Sequence, residues 1–346
     1  MGSFFQQLRD RCRQCGNPVL VGLDPRVKSL PPSLRPVDET DLAAVATAYR
    51  TFCTTVIDIV ASRVPAIKPQ SAFFEQIGPV GVTLLVELIR YAQSKGLLVI
   101  LDGKRNDIGS TATAYADGML GRTSPWGADA LTVSPYLGED GVQPFLDIAT
   151  QRGAGIFVLV RTSNPGATML QELTIAGWTE SAAAQGRPGT QTGKNAMKNS
   201  PIHAGDPASQ VGRPVYERVG NWVHRLAEST RTEFRYSDAV GAVVGATCPE
   251  QLAELRKAMP TTWFLVPGFG AQGGRVADVA AAFDEQGEGA LINNSRGILF
   301  AYQTPEFATF GPERWERAVE AATQNMIAQL RDATPAGKLG EYTKPI

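Results

Sequence analysis

Apolar residues along this chain alternate between two regimes. Short continuous runs are separated by stretches in which apolar positions recur with a period near 3.6. The runs are Val19–Leu23, Val64–Ile67, Leu97–Leu101, Ala130–Val133, Ile156–Val160, Ala239–Val244, Trp263–Val266 and Ala290–Ile292. Unbroken apolar runs fit parallel strands covered on both faces, where alternation would fit a half-exposed sheet. Between them, Asp41–Val60 and Val80–Lys95 carry helical periodicity, and Leu252–Met259 and Val276–Phe283 are shorter versions. Gly96 is a natural helix stop. Eight such strands alternating with helices predict an α/β fold, the (β/α)8 TIM barrel, built as a single domain over residues 1–332.

Three segments stand outside the rhythm. The first residues, up to Gly16, read as a helix preceding the barrel. Trp315–Leu330 reads as the closing helix, and the polar residues 333–346 beyond it are expected to form a loose tail. Residues 171–214 follow the fifth strand and are rich in Gly, Ser, Thr, Gln, Asn and Pro, with little periodicity. That is too long for an ordinary βα loop. It is read as a partly ordered surface insertion in preference to an active-site lid.

Composition narrows the class of partner. The chain has 346 residues, is 43% hydrophobic and 19% charged, and has a formal net charge of -1. A near-neutral balance gives no support for nucleic acid or an anionic membrane as the partner. No unbroken apolar run approaches the ~20 residues of a membrane span. The charged N-terminus lacks the core of a signal peptide, and Gln6 stands where a myristoylation signal wants Ser or Thr. A cytoplasmic location is the expectation. Cys12 and Cys15 form a C-x-x-C, but no second pair completes a zinc site, so they are read as structural. His203 and His224 both lie in or just after the insertion, which argues against a Ser-His-Asp triad or a multi-histidine metal site.

Charged residues gather at strand ends. The third strand closes with Leu101-Asp102-Gly103-Lys104-Arg105-Asn106-Asp107. Asp102 and Lys104 are two apart, so strand alternation sends both side chains to one side, which at this end of a barrel is the catalytic mouth. Asp107 lies beyond the strand end and need not share that direction. A lysine flanked by carboxylates keeps its proton and is suited to proton donation. Asp24 ends the first strand and Lys68 the second, each followed by a proline. Neighbouring strands thereby deliver Asp24, Lys68, Asp102 and Lys104 to one place.

The far end of the chain supplies an anion site. After the seventh strand comes Pro267-Gly268-Phe269-Gly270-Ala271-Gln272-Gly273-Gly274, and after the eighth Asn293-Asn294-Ser295-Arg296-Gly297. The first contains G-x-G-x-x-G, but a dinucleotide fingerprint belongs to the opening βα turn of a Rossmann unit, so a dehydrogenase reading is rejected. Glycine-rich loops after strands seven and eight are the usual phosphate site of a barrel, with Arg296 placed to pair with the anion.

Taken together these motifs resemble the orotidine 5′-phosphate decarboxylase family, in its longer, bacterial-type branch. The D-x-K-x-x-D pattern is Asp102, Lys104 and Asp107; the fifth strand ends in Arg161-Thr162-Ser163-Asn164-Pro165-Gly166, similar to the family's loop over the pyrimidine. The resemblance runs in order from about residue 18 to 302, and only the insertion lacks a counterpart in compact members. It implies decarboxylation of orotidine 5′-phosphate to UMP without metal or other cofactor. Lys104 resembles the lysine that protonates C6, and Asp102 the carboxylate set against the substrate carboxylate. Asp107 resembles the aspartate that a partner subunit contributes, and Thr111 a residue reaching the neighbouring ribose; both imply a homodimer with shared sites. Lys68 and Asp24 look like ribose contacts, with Lys68 completing the charge network. Ser163 looks like the pyrimidine contact. Gly268, Gly270, Gln272, Ser295 and Arg296 look like the phosphate grip.

Two other readings stand against it. A sugar-phosphate aldolase or decarboxylase of the same superfamily would use a metal ion, and the cation at Lys68 would repel one. A non-catalytic nucleotide-binding protein would show a damaged Lys/Asp set, and every member is present here.

Overall fold

The computed structural model describes residues 2–175, 212–232, 235–270 and 273–342. Eight parallel strands close on themselves: β1 (Val19–Leu23), β2 (Ala66–Pro69), β3 (Leu98–Arg105), β4 (Ala130–Val133), β5 (Gly155–Arg161), β6 (Val240–Val244), β7 (Trp263–Val266) and β8 (Ala290–Asn294). Each pairs with its sequence neighbours, and β8 returns to β1 through Val19↔Ile292 and Leu20↔Asn293. This is the expected (β/α)8 barrel. The continuous apolar runs are explained by burial on both sides, since β1, β2, β4, β6, β7 and β8 are buried throughout.

The helix Phe4–Cys15 seals the amino-terminal end of the barrel. Ser3 caps it with Gln6 in a capping box, and Phe4, Phe5, Leu8 and Cys12 form its buried face. Phe5 stands edge-on to Phe157 at 5.3 Å and stacks on Trp263 at 6.4 Å. Each such ring contributes about 1.5–3 kcal/mol by burial. With one end plugged by hydrocarbon, polar chemistry is left to the other. Asp41 caps the helix Leu42–Val60 by accepting from Ala43 N and Ala44 N, both at 3.0 Å. That helix is long and apolar enough to cross a membrane, but Val45, Phe52, Val56 and Val60 are buried in the core of the barrel fold.

The end of the chain departs from expectation. The closing helix runs from Trp315 to Ala333, and Pro335–Tyr342 continues as packed 3-10 turns with Ala336 and Leu339 buried. Arg13 lies over the Tyr342 ring at 4.3 Å. Two small apolar side chains in a polar tail were enough to anchor it; residues 343–346 lie outside the described residues. The insertion falls mostly outside them too, at 176–211. Its two ends meet in a short antiparallel ribbon, Thr174–Ile175 against Arg213–Pro214, so the excursion leaves and rejoins the barrel at one point.

Candidate active site

The carboxyl ends of β2, β3 and β4 carry a charged cluster. Lys68 is buried, 4% exposed, and its Nζ lies 2.8 Å from Asp102 Oδ2. Lys104 Nζ lies 2.7 Å from the other oxygen, Oδ1. Thr132 Oγ1 is 2.9 Å from that same Oδ1 and also accepts from Lys104 N at 2.9 Å. Asp102 is thus held by three donors and is 7% exposed, whereas the Lys104 side chain is 47% exposed and reaches into the open mouth.

Asp102 and Lys104 meet by a route that simple strand alternation did not anticipate. The β3–β4 ladder is regular to Leu101↔Leu131 and then shifts register before Arg105↔Val133. Lys104 occupies the left-handed region at φ 44°, where no other described non-glycine residue lies. A bulge of this kind re-aims side chains; here it brings two residues of one strand into direct contact.

The charges stabilise one another. Burial pushes the Asp102 carboxyl up, but the Lys68 and Lys104 ammonium groups outweigh it and hold the acid well below the usual carboxylate range. Burial likewise works against the Lys68 ammonium, and Asp102 and Asp24 reverse it, so its proton is held more firmly than in a free lysine. Asp24 joins this field without a hydrogen bond to the lysine: its Oδ1 is buried with no partner.

Two further buried oxygens lack partners, Asn293 Oδ1 and Ser295 Oγ, both at the end of β8 beside β1. Buried polar atoms are nearly always satisfied, so at the mouth these oxygens are left to bond water or a ligand. Gly22 lets the two strands approach this closely, since a Cβ there would stand 2.6 Å from that of Ser295. Asn293 was missed in the sequence because its neighbours in an N-N-S-R string read as a loop.

The loops after β7 and β8 adjoin. Gly270 packs against the Asn294 side chain, which accepts from Gly297 N at 3.1 Å. Gly268 and Gly270 have φ of 98° and 68°, and Gly270 N donates to Gly274 O at 2.8 Å. Arg296 is exposed and opens the short helix Arg296–Leu299 that follows β8. Gln272 lies outside the described residues. Next to the β7 loop, where Ala246 N donates to Pro267 O at 2.8 Å, Thr247 Oγ1 bonds Ser163 O at 3.1 Å and fixes the loop after β5. Gln171 clasps Thr162 from both sides, through Thr162 N at 2.9 Å and Oγ1 at 2.9 Å.

Two expected residues do not join the cluster within one protomer. Asp107 is bonded to its own chain, Oδ1 accepting from Ile108 N at 2.8 Å, while the ion pair of Lys104 is with Asp102. Thr111 is exposed on the helix Gly109–Met119 and lines a surface depression with Ala114, Tyr115 and Trp126. Among the described residues no group of three or more His, Cys, Asp or Glu side chains is arranged to hold a metal ion.

A closed parallel barrel, sealed at its amino end and carrying charged and orphaned polar groups at its carboxyl mouth, is the architecture of a barrel enzyme for small anionic substrates. The sequence profile of the orotidine 5′-phosphate decarboxylase / HUMPS family matches residues 17–205. An orotidine 5′-phosphate decarboxylase of Rhodopirellula baltica is 48% identical over 337 residues, covering 96% of this chain and 100% of that protein. One from Caldicellulosiruptor bescii is 31% identical over 344 residues, covering 96% and 99%. The structure of Leishmania donovani OMP decarboxylase matches with a TM-score of 0.65 at 30% identity, covering 96% of this chain and 98% of that one. The chain belongs to the orotidine 5′-phosphate decarboxylase / HUMPS family.

Proposed function

We propose that this chain decarboxylates orotidine 5′-phosphate to UMP, with no metal or organic cofactor. The observation that carries the reading is the Asp102 carboxylate clamped between Lys68 and Lys104 at the mouth of a barrel of this family.

The chemistry follows from the placement of charge. Breaking the bond between C6 and the carboxylate releases carbon dioxide and leaves the electron pair on C6. Lys104, protonated and exposed to the mouth, stabilises that charge as it develops and then donates a proton to C6. The lysine regains its proton from solvent. Asp102 faces the departing carboxylate and, being already ionised, disfavours the ground state. Asp24 and Lys68 hold the ribose hydroxyls, and Ser163 holds the pyrimidine. Ser295, Arg296, Gln272, Gly268 and Gly270 hold the phosphate. Phosphate affinity, remote from C6, supplies binding energy for orienting the ring.

The metal-dependent sister reaction is disfavoured because Lys68 already occupies one Asp102 oxygen with a cation. A binding protein without catalysis has no use for the clamp. A homodimer with shared sites also belongs to this reading. Asp107 and Thr111 sit beside exposed Ile108 and Tyr115, with Tyr136 and Leu137 also exposed, an apolar face for a second copy of the chain to cover. A cytoplasmic location accords with four cysteines that are all free thiols.

The test is direct. The protein is mixed with orotidine 5′-phosphate and excess chelator, and ultraviolet absorbance follows conversion to UMP. Conversion supports the reading. Activity that requires added magnesium would favour the sister chemistry, and UMP binding without turnover a binding protein.

A further inference from the structure

We infer that Thr132 is a positioning residue of this site: one hydroxyl fixes both the backbone from which Lys104 projects and the carboxylate that Lys104 holds. The inference rests on the decarboxylase reading above.

Thr132 is the single polar residue in the apolar run of β4 and is 1% exposed. Its two bonds go to two residues of one strand. Oγ1 accepts from Lys104 N at 2.9 Å and lies 2.9 Å from Asp102 Oδ1. A threonine hydroxyl has one proton, and an ionised carboxylate can only accept. Since the Lys104 amide fills a lone pair, the proton must point at Asp102. The hydroxyl therefore has one orientation, set from both ends.

The break in the β3–β4 ladder explains why a side chain is needed here. Leu101 pairs with Leu131 and Arg105 with Val133, so the residues between them fall out of register. The Lys104 amide, in a left-handed conformation that side-chain-bearing residues rarely adopt, takes its acceptor from Thr132 in place of a β4 carbonyl. That bond supports the unusual backbone. The other bond fixes the rotation of Asp102, whose Oδ1 also binds Lys104 Nζ. The ammonium nitrogen is located from its backbone end and from its tip by the same hydroxyl. Thr132 touches neither the substrate nor the reacting carbon in this scheme; it acts through the two residues that do.

Valine at 132 keeps the branched shape and removes both bonds. Expected for Thr132→Val is a fall in kcat of about 10- to 100-fold, the usual scale for loss of an outer hydrogen bond or a slight misplacement of a reacting group. KM and the Kd for UMP should stay within about threefold, because the phosphate and ribose grips are untouched. Thr132→Ser, which keeps the hydroxyl, should restore kcat to within about threefold of wild type. A kcat for Thr132→Val within about threefold of wild type overturns the inference. So does a loss of kcat matched by an equal loss of UMP affinity and not restored by serine, which is the signature of a packing role. If the valine protein does not fold, the serine and alanine variants carry the comparison, and equal kcat for those two overturns it. Wild-type turnover, measured alongside, separates the two levels. An inactive wild type defeats the decarboxylase reading, whereas an active wild type with an indifferent Thr132→Val defeats only this one.

Discussion

Lys68 is almost wholly buried, and its ammonium nitrogen lies 2.8 Å from Oδ2 of Asp102. Neither charge is tolerable there alone. Replacing Asp102 with Asn leaves the buried ammonium without its nearest counter-charge, at a cost of about 3 kcal/mol in unfolding free energy. The pH dependence has a definite sign. In the wild type the Asp102 acid is held below its unfolded value, so its contribution is present above about pH 4 and lost as pH falls through the folded value. Lys68 is held above its unfolded value, so its contribution is present below about pH 10 and lost as pH rises through the folded value. In Asp102→Asn, burial dominates Lys68 and lowers its pKa, so the variant gains stability as pH rises and the lysine discharges. Urea unfolding of both proteins at several pH values should show the gap narrowing toward alkaline pH. A gap that widens would refute the coupling.

Lys104 is half exposed and carries no comparable structural burden. Lys104→Ala should lower kcat by about 10⁴-fold, the upper range for removing a positioned proton donor, while melting at nearly the wild-type temperature. Near-normal turnover would remove Lys104 from the role of proton donor.

Much of this site could be read before folding, and the limits are instructive. The strand runs were legible because double-sided burial leaves an unbroken apolar signature, and Asp24, Lys68 and Asp102 stand out because charge directly follows it. The contact between Asp102 and Lys104 was expected, but its cause was not. A bulge and a left-handed lysine depend on strand pairing between β3 and β4, which no local pattern records. Thr132 was illegible for a related reason, since threonine is an ordinary strand residue until its neighbour's register is known. The packed end at Ala336 and Leu339 was hidden by its polar surroundings. Asp107 lies past the end of the strand at Arg105, so spacing left its direction open and could not say which cluster it serves.

Arg256 shows a buried charge used for architecture. Its guanidinium donates to the carbonyls of Ala282, Met259, Thr262 and Gly289, each at 2.9 Å, and stacks 3.7 Å above the Phe264 ring. Burial pushes its pKa down to about 10, which leaves it charged at neutral pH. Arg256→Met should orphan those carbonyls and cost about 4 kcal/mol, roughly one for each lost bond. Activity per folded molecule should not change, because Arg256 holds the structure beneath β7 and β8 and not the mouth. A melting temperature equal to wild type would show that the carbonyls find other partners.

Arg296 stands at the opposite pole of the proposed substrate from Lys104. Arg296→Ala should reduce kcat/KM by about 10- to 100-fold, the range of a charge-assisted bond to an anion. Most of the loss should fall in KM. The control is the nucleoside without its phosphate: if the pairing is as proposed, the variant and the wild type should bind uridine equally. Weaker uridine binding by the variant would mean that Arg296 supports the fold of the site and does not grip the phosphate.

The role of Asp107 can be separated from its own protomer. Within one chain its carboxylate is bonded to Ile108 N and not to Lys104. If it instead completes a neighbour's cluster, Lys104→Ala and Asp107→Ala should each be inactive alone, because each homodimer has two defective sites. In a mixed dimer, one site combines both substitutions and the other contains neither. Random reassortment makes half of the dimers mixed, so mixing equal amounts should recover about a quarter of wild-type activity. The recovery should require time for subunit exchange and should saturate at that fraction. No recovery, with mixed dimers demonstrated by mass, would place Asp107 within its own protomer's site or outside the chemistry altogether. Recovery at the expected fraction requires that the mouth of each barrel be finished by the residue that follows β3 in the other.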